Sequence, residues 1–166
     1  MTQYRYAILS DTHGAFHPEL PDIMAGVEAI FHAGDVVGFE IMEALKAIAP
    51  VYAVRGNCDD GSLGLPLEQR ITLPFGNLAM VHGDRLPEAK EKRMRAMINL
   101  FEDVEPRIIV FGHSHHPYLD FTRNTYLVNP GSAGPPRFRE QSSLVLLTWD
   151  EATNLFRFEW TPLRWR

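Results

Sequence analysis

The sequence predicts an α/β fold in which two β-sheets pack face to face with helices on their outer surfaces. Three observations lead there. Short apolar runs alternate with helix-spaced patterns over the first two thirds of the chain, which is the signature of βα units. The last third drops the helical pattern and reads as short strands joined by Asn, Gly, Pro and Asp turns, and two packed sheets accommodate both halves. The chain has 166 residues, 45% of them hydrophobic and 22% charged, with no repeat, low-complexity stretch or linker. Residues 1–166 therefore read as a single domain.

Taken in order, the apolar runs Tyr4–Ser10, Ala29–Ala33, Val51–Arg55, Leu78–His82 and Arg107–Phe111 are the predicted strands of the first part. Ile41, Ala44, Leu45 and Ile48 repeat at helical spacing, as do Met94, Met97, Ile98 and Phe101, so both segments are predicted helices with their methionines in the core. Leu73-Pro74-Phe75-Gly76-Asn77-Leu78 is a turn that joins a strand at Gln69–Leu73 to the next one as a hairpin. Tyr118–Thr122, Tyr126–Asn129, Ser143–Trp149 and Leu155–Trp160 complete the set. The expectation is a parallel first half followed by an antiparallel tail.

Composition excludes several classes. No window reaches the roughly 20 apolar residues that cross a bilayer, and the start of the chain has neither the basic nor the apolar region of an export signal. The single cysteine, Cys58, cannot form an intramolecular disulfide, which suits a cytoplasmic protein. A formal charge of −5 argues against a long nucleic-acid footprint, which needs a basic face. The basic run Arg85–Arg95 also holds Glu88 and Glu91 and reads as a solvated helix face.

The chemistry-bearing residues fall just after predicted strands: Asp11 and His13, Asp35, Asn57, His82, then His113 and His115. In α/β sheets the carboxyl ends of strands line the ligand crevice, so these seven can converge. Each alone has a plain explanation as a turn or strand exit. Their joint occurrence, each after an apolar run, points to a metal site.

Asp11-x-His13, Gly34-Asp35, Gly56-Asn57, His82 and Gly112-His113-x-His115 resemble the signature of the calcineurin-like metallophosphoesterases, over residues 8 to 116. Arg55-Gly56-Asn57-Cys58-Asp59 and Asn129-Pro130-Gly131-Ser132 extend the resemblance to the small YfcE-type phosphodiesterases, to about Arg137. The resemblance implies a four-layer α/β/β/α fold and two divalent ions. Manganese is the expected metal, with nickel, iron, zinc or cobalt as alternatives, since mixed N and O donors suit these ions. One ion would take Asp11, His13, Asp35 and His115, and the other Asp35, Asn57, His82 and His113, with Asp35 bridging. A water bridging the ions would attack a small phosphate ester, a phosphodiester by preference. Asp35, Asn57, Cys58, Asp59 and His113 are the expected catalytic residues.

Many members carry histidine directly after the metal-binding asparagine, where this chain has Cys58. A thiol is a poorer acid near neutrality than an imidazole, and Asp59 is the neighbour expected to hydrogen-bond a ligand histidine or help with protons. His32 is expected either behind the ligands or as a satisfied core residue, and His17, His116, Arg137 and Arg139 are candidates for the substrate rim. Ser10, Thr12 and Ser114 read as structural. The alternatives are a nuclease, a monoesterase, or a scaffold like the retromer subunit of this fold, whose metal ligands are eroded while all seven stand here. Homo-oligomer formation is compatible with Trp149, Trp160 and Trp165 near the C-terminus.

Overall fold

The computed structural model describes residues 2–137 and 140–166; Arg139, a candidate for the substrate rim, lies outside them. The chain runs β1 (Gln3–Leu9), α1 (Leu20–Ile23), β2 (Ala29–His32), α2 (Phe39–Lys46) and β3 (Val51–Ala53). A 3-10 turn at Gly61–Leu63 leads to β4 (Glu68–Leu73), β5 (Gly76–Val81), α3 (Lys90–Leu100) and β6 (Ile108–Val110). The last strands are β7 (Tyr118–Thr122), β8 (Thr125–Asn129), β9 (Ser142–Asp150) and β10 (Leu155–Leu163).

The strands form two five-stranded sheets, ordered β10-β9-β1-β2-β3 and β4-β5-β6-β8-β7. Alternation along each strand builds the layers. Tyr6 and Ile8 of β1 face Ile108 and Val110 of β6 across the space between the sheets, where Phe31, Met80, Val128 and Leu147 also lie. The intervening Ala7 and Leu9 pack outward against Leu20, Ile41, Met42 and Leu45 of α1 and α2. Ile109 and Leu127 pack outward against Met97 and Phe101 of and beside α3. The result is the expected α/β/β/α sandwich. Each large apolar side chain removed from water in it contributes about 1.5–3 kcal/mol.

The division into a parallel first half and an antiparallel tail is corrected: each sheet is mixed. In the first sheet β1, β2 and β3 run parallel while β9 and β10 add antiparallel. In the second, β8 from the tail pairs parallel with β6, and only β7 and the predicted β4–β5 hairpin are antiparallel. Two strands also end early. The one predicted to run to Arg55 stops at Ala53, because Arg55 leaves the ladder to donate its N–H to Pro66. The one predicted over Arg107–Phe111 is confined to Ile108–Val110. Helix α1, four residues with a proline in its first turn, is too short for any periodicity to show.

Trp149 is buried between the sheets. No helix among the described residues is long and apolar enough to cross a membrane.

Candidate metal centre

The loops after the parallel strands continue their pairing beyond the sheet. Asp11 N–H donates to Gly34 O (2.9 Å), His13 N–H to Asp35 O (3.0 Å) and Gly112 N–H to His82 O (2.9 Å). The backbone then reverses sharply. Asp11, His13, Asp35, His113 and His115 all have left-handed φ angles, between 48° and 66°. For L-residues this conformation costs about 1–2 kcal/mol each, although Asp and His tolerate it better than most. Such strain persists only where the surroundings impose it, as they do around functional sites. Glycine fits the close approaches: at Gly34 (φ +99°) a Cβ would lie 2.6 Å from His82 Nδ1.

All seven predicted residues meet at one end of the sandwich. Asp11 Oδ1 lies 3.2 Å from His115 Nε2 and 3.7 Å from His13 Nε2, and the two imidazole nitrogens are 3.3 Å apart. On the other side, His82 Nε2 lies 3.1 Å from Asn57 Oδ1, and His113 Nδ1 lies 3.0 Å from the same oxygen. Asp35 Oδ2 stands between the groups, 3.8 Å from His13 Nε2 and 3.4 Å from His82 Nε2. Donors bound at about 2.1 Å around one ion sit roughly 3.0–3.4 Å apart, so these separations fit metal coordination. Asp11, His13 and His115 form one group with metal-binding spacing, and Asp11, Asp35 and His82 form another.

The donors also pass a chemical test. Asp11 is buried, and its Oδ2 accepts from Ser10 Oγ (2.5 Å) and His113 N–H (3.1 Å), yet its Oδ1 has no hydrogen-bond partner. A buried carboxylate oxygen left bare is costly, and a cation in the cluster would satisfy it. His82 Nδ1 bonds to Ala33 O at 2.7 Å, which aims Nε2 at the centre.

Charge is balanced within the chain as well. Burial works to raise both carboxyls. For Asp11 it is outweighed by His115, His82 and Ser10, and for Asp35 by His82 and the Cys58 amide, so both stay below their ordinary values. Burial works to lower His82, but Asp35 and Asp11 push it up to about 9. Asp11, 3.2 Å away, raises His115, whereas burial lowers His13 despite the same acid. A cation held here would compete with protons for His82 and His115.

A supporting layer accounts for residues whose roles the motifs alone do not define. His32 is fully buried: its Nδ1 accepts Gly34 N–H (3.2 Å), so its Nε2–H donates to Thr12 Oγ1 (3.0 Å), and Thr12 passes the bond on to Val36 O. Burial pushes His32 down to about 4, and it stays neutral near neutral pH. Asn129 Nδ2 donates to Gly112 O and Ser114 Oγ, and Ser132 Oγ donates to Asp11 O, so the Asn-Pro-Gly-Ser turn braces both ligand loops. Its sequence signal was a turn beside the site; the brace needed the fold.

Asp59 is corrected. Among the described residues its side chain makes no hydrogen bond to a ligand histidine; its oxygens accept Val37 N–H and Gly56 N–H, each at 2.8 Å, and so pin the turn that carries Asn57. His17 is also corrected, being buried against Trp165 and bonded to Arg164 O rather than placed at the rim. His116 is exposed and faces Glu140 (3.4 Å). Arg137 is exposed, near enough for its charge to act on His13, Cys58 and His115. A cavity of about 710 Å³, lined by Arg107, Phe121 and Phe156 among others, contains none of the seven.

The family model for the calcineurin-like phosphoesterase superfamily domain matches residues 5–152. A protein of Methanocaldococcus jannaschii named as a probable metallophosphoesterase is 34% identical over 152 residues, covering 87% of this chain and 76% of its own. Three solved structures share the fold. A conserved Streptococcus pneumoniae protein described as a predicted phosphoesterase superposes with TM-score 0.76 at 22% identity, covering 98% of this chain and 91% of its own. Zinc-complexed Vps29 of Entamoeba histolytica gives 0.73 at 21%, with 96% and 99% coverage. A structure described as a novel archaeal phosphodiesterase gives 0.69 at 16%, with 95% and 99% coverage. The chain belongs to the calcineurin-like phosphoesterase superfamily. That membership makes it a phosphoester hydrolase of a family that works with divalent metal ions.

Proposed function

We propose that this protein is a phosphodiesterase acting on small phosphodiesters with two divalent ions, manganese by preference, held by a single domain in the cytoplasm. The observation that carries the reading is Asp35 Oδ2, placed between His13 and His82 at distances that suit a carboxylate shared by two ions. Asp11, His13 and His115 would complete one position, and Asn57, His82 and His113 the other. The bound pair would supply positive charge for the phosphoryl oxygens and activate a water as nucleophile.

The chain's own residues set the rest. Asp11 and Asp35 stay ionised because their neighbours hold them low. Asp59, through the Gly56 amide, and His32, through Gly34 and Thr12, hold the ligand loops at fixed spacing, as reactions sensitive to misplacements of about 1 Å require. His113 and Cys58 are exposed members of the site, and substrate enters on their side. Burial and Asp35 push the Cys58 thiol up, leaving it a weak acid for an ester's departing oxygen. Good leaving groups are therefore favoured.

A monoester dianion would bring a second charge to a rim where Arg137 is a nearby cation, and a diester brings one. The test is turnover of an aryl phosphodiester against the matching aryl monoester by manganese-loaded protein. The diester is expected to be the better substrate; a tenfold preference for the monoester rejects the assignment. The fold alone also suits a scaffold, as in Vps29, but a complete donor set with a bare buried oxygen favours chemistry.

A further inference from the structure

We infer that the sulfur of Cys58 is an additional donor of this centre, taken up together with His13 and Asp35 by thiophilic divalent ions such as zinc or cobalt and left free by manganese. The inference rests on the metal-centre reading above.

Cys58 does not hang loosely in solvent. Its backbone N–H donates to Asp35 Oδ1 at 2.7 Å, on the carboxylate whose other oxygen faces His13 and His82. The turn that carries it is pinned by Asp59 at Val37 and Gly56. The sulfur is thereby brought into one cluster: His13, Asp35 and Cys58 each offer a ligand atom, all within 4.8 Å of one another. Asn57 Nδ2 lies 3.5 Å from the sulfur. The adjoining group, which shares His13 with this one, carries its own demand for a cation, since the buried Asp11 Oδ1 lies 3.7 Å from His13 Nε2 and has no partner.

Sulfur separates metals that the other donors do not. Thiolates bind zinc and cobalt strongly, while carboxylate and amide oxygens suit manganese. On ligation, the Cys58 S–H bond breaks, its proton passes to solvent, and the sulfur electron pair forms the bond to the ion; no oxidant or reductant is needed. A centre of this composition answers differently to the two kinds of ion. With manganese, Cys58 stays free at the mouth where substrate enters; with zinc or cobalt, the thiolate closes over the His13 side and competes with the phosphate.

The test loads metal-stripped full-length protein with cobalt and records the near-ultraviolet spectrum at measured cobalt content. Wild type is expected to show a sulfur-to-cobalt charge-transfer band, absent from Cys58→Ser and Cys58→Ala at equal cobalt content. Zinc binding should release one more proton per chain from wild type than from Cys58→Ser. Replacing the thiol should also weaken zinc relative to manganese by tenfold or more in competition. Full cobalt uptake by wild type without the band overturns this inference alone. A folded chain that takes up no cobalt overturns the metal-centre reading and this inference with it.

Discussion

The two sheets meet at the centre with unlike contributions. The first supplies both carboxylates, Asp11 and Asp35, together with His13 and Asn57, while the second supplies only imidazoles, His82, His113 and His115. The carboxylates are buried, but the imidazoles grade from buried His82 to exposed His113. Fixed negative charge thus sits deep, against the helix-backed β1 and β2. The opposite wall offers imidazole nitrogen alone. In the proposed centre each metal position draws on both walls, the first bringing the carboxylate charge with His13 and Asn57 and the second adding the remaining imidazoles. Joining them is what packing the sheets face to face achieves.

Breaking the acid wall should cost most. Asp35→Asn removes the shared charge, and since metal activation of a phosphoryl group is worth several kcal/mol at about 1.4 kcal/mol per tenfold, kcat/KM on an aryl diester should fall by ~10³-fold or more. His113→Ala, on the exposed wall, should lower metal content by one ion per chain, whereas Asp35→Asn should weaken both. Metal analysis of the two variants side by side checks this, and equal losses would erase the contrast.

The imidazole wall predicts a pH effect. His82 is raised from its usual 6.5 to about 9 by the acids, so its proton stabilises the metal-free fold below pH 6.5, and that contribution is lost as pH rises through 9. A metal must displace this proton, so binding should tighten across the same interval. Manganese affinity of stripped protein measured from pH 6.5 to 9 tests it, and a flat profile would remove His82 from the competition.

The smallest effect is expected behind the walls. His32→Leu leaves Gly34 N–H and Thr12 Oγ1 without their partner, at about 1–3 kcal/mol of unfolding free energy and ~10–100-fold in metal affinity or activity. His32 is lowered to about 4, so wild-type stability at this residue is full above pH 6.5 and declines as pH falls toward 4. Chemical denaturation across that range should show a shallower loss in His32→Leu.

Much of this architecture was legible in the chain. Runs such as Tyr4–Ser10 and the spacing of Met94, Met97, Ile98 and Phe101 marked strands and a helix because each buries a regular face. The convergence of the seven residues was legible because each follows a strand end. What escaped was set by contacts between distant segments: the parallel pairing of β8 with β6, the left-handed backbone at Asp11 or His115, and the hold of Asn129 on Gly112. Asp59 misled for the same reason. A carboxylate beside a ligand reads as chemistry until the amides of Val37 and Gly56 are seen to occupy it.

The central claim is that Asp35 joins two metal positions built by the two walls. Calorimetric titration of EDTA-stripped protein with manganese, paired with aryl-diester turnover at each addition, tests it most directly. The account predicts saturation at two ions per chain, with hydrolysis appearing as the second position fills. A folded protein that saturates at one ion, or hydrolyses the diester fully with none, would contradict it.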